Sequence, residues 1–243
     1  MTSQCQSPLH CLTGSLVKES NKSSELWDKL REEMVEVHLN PGEILSQKTT
    51  PFEGIAWVRQ GSLHRRIQNG ANQFVLAQIM VEKDLLGLEC LFDEGHCQDV
   101  FRTREKTTLN LFPRKLIKKL VKESPAVAYH FFHSQSENFR ELMTHLQVLS
   151  NKSLLARTAA GILYFNRKLG PRVWTNRELA TWAGVTQEGV GRSFTNLIGS
   201  GVIRKVGRKT FIEEESTLVK MASEFKSQEA PHLISYLVRQ SAH

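Results

Sequence analysis

The stretch from Thr175 to Ile212 constrains this chain more than any other. It contains two short helical patterns around a glycine, followed by a basic hairpin pattern. Thr175 is a good N-cap, and Glu178 three residues later completes a capping-box signature. Leu179, Trp182 and Ala183 supply an inner face, and Ala180 is small where a partner helix would approach. Gly184 falls where the chain must turn, with a positive φ expected. Thr186 then caps a second helix over 187–199, with Val190, Phe194, Leu197 and Ile198 inward. Ser200-Gly201 closes it with a C-terminal glycine signal. Two helices joined this tightly cannot share one straight axis. They must cross, which leaves the second one protruding, a shape that fits the DNA major groove.

The outer, N-terminal part of that second helix carries Gln187, Glu188, Gly191 and Arg192. Arg can make two hydrogen bonds to guanine, Glu accepts from cytosine, and Gln can pair with adenine or reach a phosphate. Glu188 and Arg192 are four apart and share a face. A solvated salt bridge would use the same spacing. Gly191 leaves room for the backbone to lie deep in the groove. After this helix, residues 201–205 and 209–212 alternate like two strands around a turn at 206–208. Arg204, Lys205, Arg208 and Lys209 on that hairpin, with Thr175 and Thr186 at the helix starts, are the expected contacts to the DNA backbone. Such contacts set register and affinity but not sequence.

Charge follows the same division. Lys and Arg balance Asp and Glu over residues 1–150, with 18 of each, whereas 151–243 holds 14 against 7. The whole net charge of +7 therefore lies in the C-terminal part. A basic module joined to a neutral one is the electrostatic footprint of a nucleic-acid binder with a separate sensing part. No run of about 18 apolar residues is present, so no membrane span is expected. The first residues lack the basic start and apolar core of a secretory signal, and the chain reads as cytoplasmic. Phosphate loops, G-x-S-x-G, H-E-x-x-H and zinc-spaced cysteine pairs are missing, so the chain does not read as an enzyme.

The neutral part predicts an α+β organisation. Residues 1–24 read as a polar arm, and a short helix runs from about Ser24 to Val37. Turn residues then punctuate 38–112 at intervals suited to a small β-barrel, with Trp57-Val58 and Phe74-Val75-Leu76 as core strands. A helix is expected over 114–123, and a long one from about Pro125 to Ser150. In the long helix Phe132, Phe139 and Leu146 repeat every seven residues, interleaved with Gln135, Leu142 and Leu149. That is the seam of a two-stranded coiled coil, and it predicts a homodimer through Phe132, Phe139, Leu142, Leu146 and Leu149. His130, His133 and His145 on the same helix read as solvated or helix-interface residues. Residues 151–153 break the pattern before a helix over 154–169. The expected division is an arm at 1–24, a sensor at 25–123, a dimer helix at 124–150, a DNA-binding module at 151–213 and a helical extension at 214–243. In the extension, Leu233, Ile234, Leu237 and Val238 have helical spacing.

In order and in residues the chain resembles the Crp/Fnr family of bacterial transcription regulators over about residues 35–213. The carriers are Thr175-x-x-Glu178-Leu179 and Gly184-x-Thr186-x-Glu188-x-x-Gly191-Arg192. In the sensor part they are Gly61-Ser62, Asp84-Leu85-Leu86-Gly87 and Leu91-Phe92-Asp93-Glu94-Gly95. The resemblance implies a cyclic-nucleotide-binding-like β-roll, a long dimer helix and a C-terminal winged helix-turn-helix. It implies double-stranded DNA, a second copy and RNA polymerase as partners, and a TGA-like half-site read by Glu188 and Arg192 with Gln187 as a third contact. Ser193 departs from the family's apolar residue. The effector site departs further. The family's ribose-binding Glu and phosphate-binding Arg fall at Leu88 and Gln98, and Arg102 lies four residues too late. Tight binding of cyclic AMP is not expected. The resemblance also raises a [4Fe–4S] cluster on Cys5, Cys11, Cys90 and Cys97. Only two of these lie on the arm, and Asn110 stands where the oxygen sensors have a β-roll cysteine. A thiol–disulfide switch and plain free thiols are the other readings of the four. The effector is unknown at this level. A winged helix that contacts protein or RNA is the alternative to specific DNA binding.

Overall fold

The computed structural model describes residues 28–46, 54–68, 74–89, 91, 99–170 and 173–223. They form two compact units. The first holds the described residues up to Phe74 with Ile79–Phe139, and the second holds Val75–Gln78 with the residues from Arg140 onward.

Eight strands, which belong to the first unit except for Val75–Gln78, make two four-stranded sheets. They are β1 (Val35–Leu39), β2 (Ile44–Leu45), β3 (Gly54–Gln60), β4 (Leu63–Gln68), β5 (Phe74–Met80), β6 (Leu85–Leu86), β7 (Val100–Thr103) and β8 (Thr107–Pro113). One sheet has the order β1-β8-β3-β6 and the other β2-β7-β4-β5. Period-two alternation sorts the side chains. Ala56 and Val58 of β3 and Leu109 and Leu111 of β8 join Leu63, Met80 and Phe101 in a cluster drawn from both sheets. Their neighbours Ile55, Trp57 and Phe112 point the other way. They pack with Leu30, with Ile117 and Leu120 of helix α1 (Arg114–Glu123), and with Val127 and Phe131 of α2 (Pro125–Ser150).

The start of this unit corrects the sequence reading. A helix was expected to about Val37, but the described helical residues end at 33. Val35–Leu39 is instead a strand, paired from Val35 opposite Leu111 to Leu39 opposite Thr107. Alternating Val35-Glu36-Val37-His38 suits a half-covered sheet edge, and pairing along β8 overrides the weak local helix signal.

The second unit is organised around α3 (Leu154–Leu169), whose N-cap Ser153 accepts from the Ala156 amide. Ten of its sixteen residues are buried, so little but its ends meets water. Around it lie α4 (Asn176–Ala183), α5 (Gln187–Gly199), the hairpin β9 (Ile203–Val206) and β10 (Lys209–Ile212), and α6 (Glu215–Ala222). Gly161 allows the closest approach. A Cβ there would collide with Leu179 Cδ1 and come within 3.3 Å of the Trp182 ring. The sequence placed the module boundary after Ser150, but compactness places it inside α2, between Phe139 and Arg140. The last turns of the long helix thus belong to the second unit. The predicted apolar positions Leu233, Ile234, Leu237 and Val238 lie outside the described residues.

Candidate nucleic-acid interface

The helix-turn-helix is built from local signals outward. Thr175 Oγ1 accepts from the Glu178 amide at 3.1 Å, and the Glu178 carboxylate accepts from the Thr175 amide at 2.7 Å, which closes the capping box. Leu179, Ala180, Trp182 and Ala183 are all buried. Gly184 ends α4 with φ 61° and ψ 39°, the left-handed conformation that favours glycine. Thr186 Oγ1 then accepts from the Gly189 amide at 3.0 Å and starts α5.

Helix α5 buries Val190, Phe194 and Leu197, and it buries Gly189 and Ser193 at the close approach to α3. Ser193 lies where the resemblance implied an apolar residue. It is 4% exposed, and its hydroxyl has no hydrogen-bond partner among the described residues. Ile198 is a correction, because it is 43% exposed and not part of the inner face. It follows Leu197 by 100° around the helix, which turns it out of the stripe that Val190, Phe194 and Leu197 define.

The outward side of α5 carries the residues that were singled out. Gln187, Glu188 and Arg192 are exposed, and a Cβ added at Gly191 would meet nothing within 4 Å. Among the described residues no ion pair joins Glu188 to Arg192, despite their i,i+4 spacing. Both side chains are therefore available to an outside partner. They stand at the N-terminal end of a helix, where the unpaired amides and the helix dipole also favour an anionic ligand.

The hairpin pairs Ile203 with Ile212 and Val206 with Lys209 across a two-residue turn, Gly207-Arg208, with Gly207 at φ 59°. The turn is one residue shorter than expected, because Val206 belongs to the strand. Arg208 and Lys209 are exposed at its tip. Lys205 Nζ lies 5.1 Å from the centroid of the Phe194 ring, so its stem lies against α5. Arg204 is committed internally. Its Nε donates to Glu213 Oε1 at 2.6 Å, and its guanidinium lies 5.0 Å above the Phe211 ring. Glu213 was not anticipated, since nothing in the local sequence pattern marks a cross-hairpin carboxylate.

Long helix α2 carries an exposed apolar strip. Phe132, Phe139 and Leu146 are 74%, 62% and 59% exposed, values far above those of ordinary large apolar residues. Tyr129 and Met143 extend the same strip, and Leu142 and Leu149 lie half-buried beside it.

Two of the positions named for the effector, Leu88 and Arg102, lie among the described residues. Leu88 is buried in the apolar cluster with Trp57 and Phe112. Arg102 is exposed on β7, where its Nε donates to the Gly42 carbonyl at 3.3 Å. A different arginine occupies the interior. Arg65 Nη2 donates to Asp99 Oδ2 at 2.6 Å and lies 3.2 Å from Glu89 Oε1. Burial and a hydrogen bond to Asp99 push the Glu89 carboxyl up to about 7, although Arg65 opposes the shift. The three residues are 10 to 34 positions apart in sequence, so only the fold reveals them. Asn110, opposite Trp57 on β8, is fully buried, and both of its amide atoms lack hydrogen-bond partners among the described residues. Gln98 and the cysteines Cys5, Cys11, Cys90 and Cys97 lie outside the described residues. Among the described residues no group of three or more His, Cys, Asp or Glu is placed to hold a metal ion. No helix among them is long and apolar enough to cross a membrane.

No protein-family model and no curated protein sequence matches the chain. Solved structures do match. A CooA variant from Carboxydothermus hydrogenoformans is 17% identical at a TM-score of 0.67, over 87% of this chain and 95% of that one. FixK2 from Bradyrhizobium japonicum is 17% identical at 0.67, over 79% and 98%. A transcriptional regulator of the CRP/FNR family from Thermus thermophilus is 18% identical at 0.59, over 77% and 98%. The chain thus has the fold of CRP/FNR-type regulators along nearly their full length.

Proposed function

We propose that the chain is a homodimeric, sequence-specific DNA-binding transcription regulator. The carrying observation is the outward face of α5, where Glu188 and Arg192 are exposed, unpaired with each other and bordered by the open Gly191. Those are a cytosine acceptor and a guanine donor on a protruding, capped helix. Exposed Phe132, Phe139 and Leu146 supply the second requirement, a face on which two copies can meet and present two reading heads. The similarity to a solved transcriptional regulator of the CRP/FNR family supports this reading. Gln187 is the third base contact, and Thr175, Thr186, Lys205, Arg208 and Lys209 hold the backbone. Arg204 joins them only by giving up Glu213. RNA polymerase is the natural onward partner of such a regulator, in the cytoplasm where its DNA lies.

The hairpin role is separable from base reading. Lys205→Ala is expected to weaken cognate and random duplex alike and to lower the slope of log affinity against log salt by about 1. Fluorescence anisotropy titrations at several salt concentrations measure both. A loss confined to the cognate duplex would contradict the assignment.

The β-roll is not a cyclic-AMP receptor in this reading. Leu88 offers no hydrogen-bond acceptor for a ribose, and the interior guanidinium of Arg65 is already held by Asp99 and Glu89. Calorimetry with cyclic AMP is expected to show no binding at micromolar concentration, and a micromolar or tighter isotherm would refute this.

A further inference from the structure

The turn between α4 and α5 aims the reading helix, and three contacts within the second unit hold it. The last carbonyls of any helix have no partner inside the helix and carry the negative end of its dipole. Here the Trp182 carbonyl, in the final turn of α4, lies 2.7 Å from Nε2 of His145 on α2. Two residues on, the Gly184 carbonyl accepts from Arg157 Nη1 of α3 at 3.0 Å. Beneath Gly184 is Leu149 of α2, whose Cδ2 would lie 3.0 Å from a Cβ at that position. Helix α2 therefore touches this turn one helical turn apart, through His145 and Leu149.

His145 is more than a cap. It is 4% exposed, and its ring stacks on Trp182 with centroids 4.4 Å apart and an interplanar angle of 11°. Trp182 stacks on Tyr164 of α3 at 4.6 Å and 9°. Three parallel rings from three helices thus make one column. The Tyr164 hydroxyl donates to Glu141 Oε1 at 2.6 Å, and Lys168 Nζ lies 2.9 Å from Glu141 Oε2. Glu141 precedes His145 by one turn of α2, so the charge that faces the ring from α2 is already shared with Tyr164 and Lys168 of α3.

We propose that His145 is a positioning residue for the reading helix: its Nε2–H ties the α4–α5 turn to the long helix, and protonation destabilises that arrangement by placing a charge in the buried ring column. The inference rests on the DNA-binding reading given above. A hydrophobic residue of similar size would fill the space, but it would leave the terminal carbonyl of α4 unpaired. Burial holds the imidazole below the ordinary histidine value of 6.5, against smaller opposing effects of the Trp182 and Ala77 backbone and of Glu141. The sign is fixed by that direction. Between the folded value and 6.5 the unfolded chain binds more protons, so stability rises with pH there. The contribution of His145 is complete above 6.5 and is lost as pH falls below it. This assigns to the fold a coupling between the long helix and the reading head.

The test uses the full chain as wild type, His145→Gln, which keeps a neutral donor, and His145→Phe, which keeps the ring stack but not the donor. Two properties are followed from pH 8 to 5.5. One is hydrogen exchange of amides 180–186 without DNA, and the other is affinity for a selected and a random duplex. His145→Phe should exchange faster at the turn and lose about tenfold for the selected duplex, with little change for the random one. His145→Gln should bind within about threefold of wild type at pH 7.5. Wild type should lose protection and selectivity on acidification, and His145→Gln should lose markedly less of both. The proposal is overturned if His145→Phe matches wild type in both properties, or if wild type and His145→Gln share one pH profile. If wild type prefers no duplex at pH 7.5, the DNA-binding reading fails. The exchange measurement then still decides whether His145 holds the turn.

Discussion

Arg192→Ala is expected to cost about 1–3 kcal/mol on the cognate duplex and to relax discrimination at the base pair it contacts. The size follows from chemistry. A bidentate guanidinium–guanine contact is lost, and the wrong base no longer leaves a donor unpaired. The fold should be untouched, because Arg192 is exposed and no ion pair ties it to Glu188. The apolar side of α5 is supplied by Val190, Phe194 and Leu197. Thermal unfolding of the variant should therefore match wild type while its cognate affinity falls and its affinity for random duplex stays nearly constant. Equal losses on both duplexes would make Arg192 a phosphate contact. An unchanged affinity on both would point to a winged helix that meets protein or RNA.

The second large effect concerns assembly. The double variant Phe139→Asp, Leu146→Asp should convert a dimer at micromolar concentration into a monomer. The two side chains are 62% and 59% exposed and lie one heptad apart on α2. Burying each at a dimer seam contributes roughly 1.5–3 kcal/mol, and carboxylates placed there would face like charges from the partner. Sedimentation equilibrium reads the change directly. Cognate affinity should fall at least about 100-fold, since the second half-site no longer benefits from the high local concentration set by the first. A double variant that remained dimeric would move the interface away from this face of α2.

Much of the reading head was legible in sequence because its determinants are local. A capping box spans four residues, an N-cap threonine acts within one turn, and Gly184 is the residue type that its left-handed φ favours. The exposed apolar strip of α2 was legible for the same reason, being a fixed period along one helix. What escaped was non-local. The strand Val35–Leu39 exists because β8 is available to pair with it, from Leu39 opposite Thr107 to Val35 opposite Leu111, far along the chain. The Arg65–Asp99–Glu89 group and the His145–Trp182–Tyr164 column join residues separated by 10 to 37 positions, with no motif to announce them. The engagement of Arg204 by Glu213 arises from the chain folding back past the hairpin. Ile198 was misplaced because a two-residue apolar pair at a helix end fits either face.

The account rests on a protruding helix that reads bases as one of a symmetric pair. Selection of bound duplexes from a random-sequence pool, using the purified full chain, tests this most directly. The predicted result is one enriched palindrome with half-sites about 34–36 Å apart, whose key guanine loses its enrichment with Arg192→Ala. A pool that stays random after several rounds, or an enriched single site without symmetry that Arg192→Ala leaves unchanged, would contradict it.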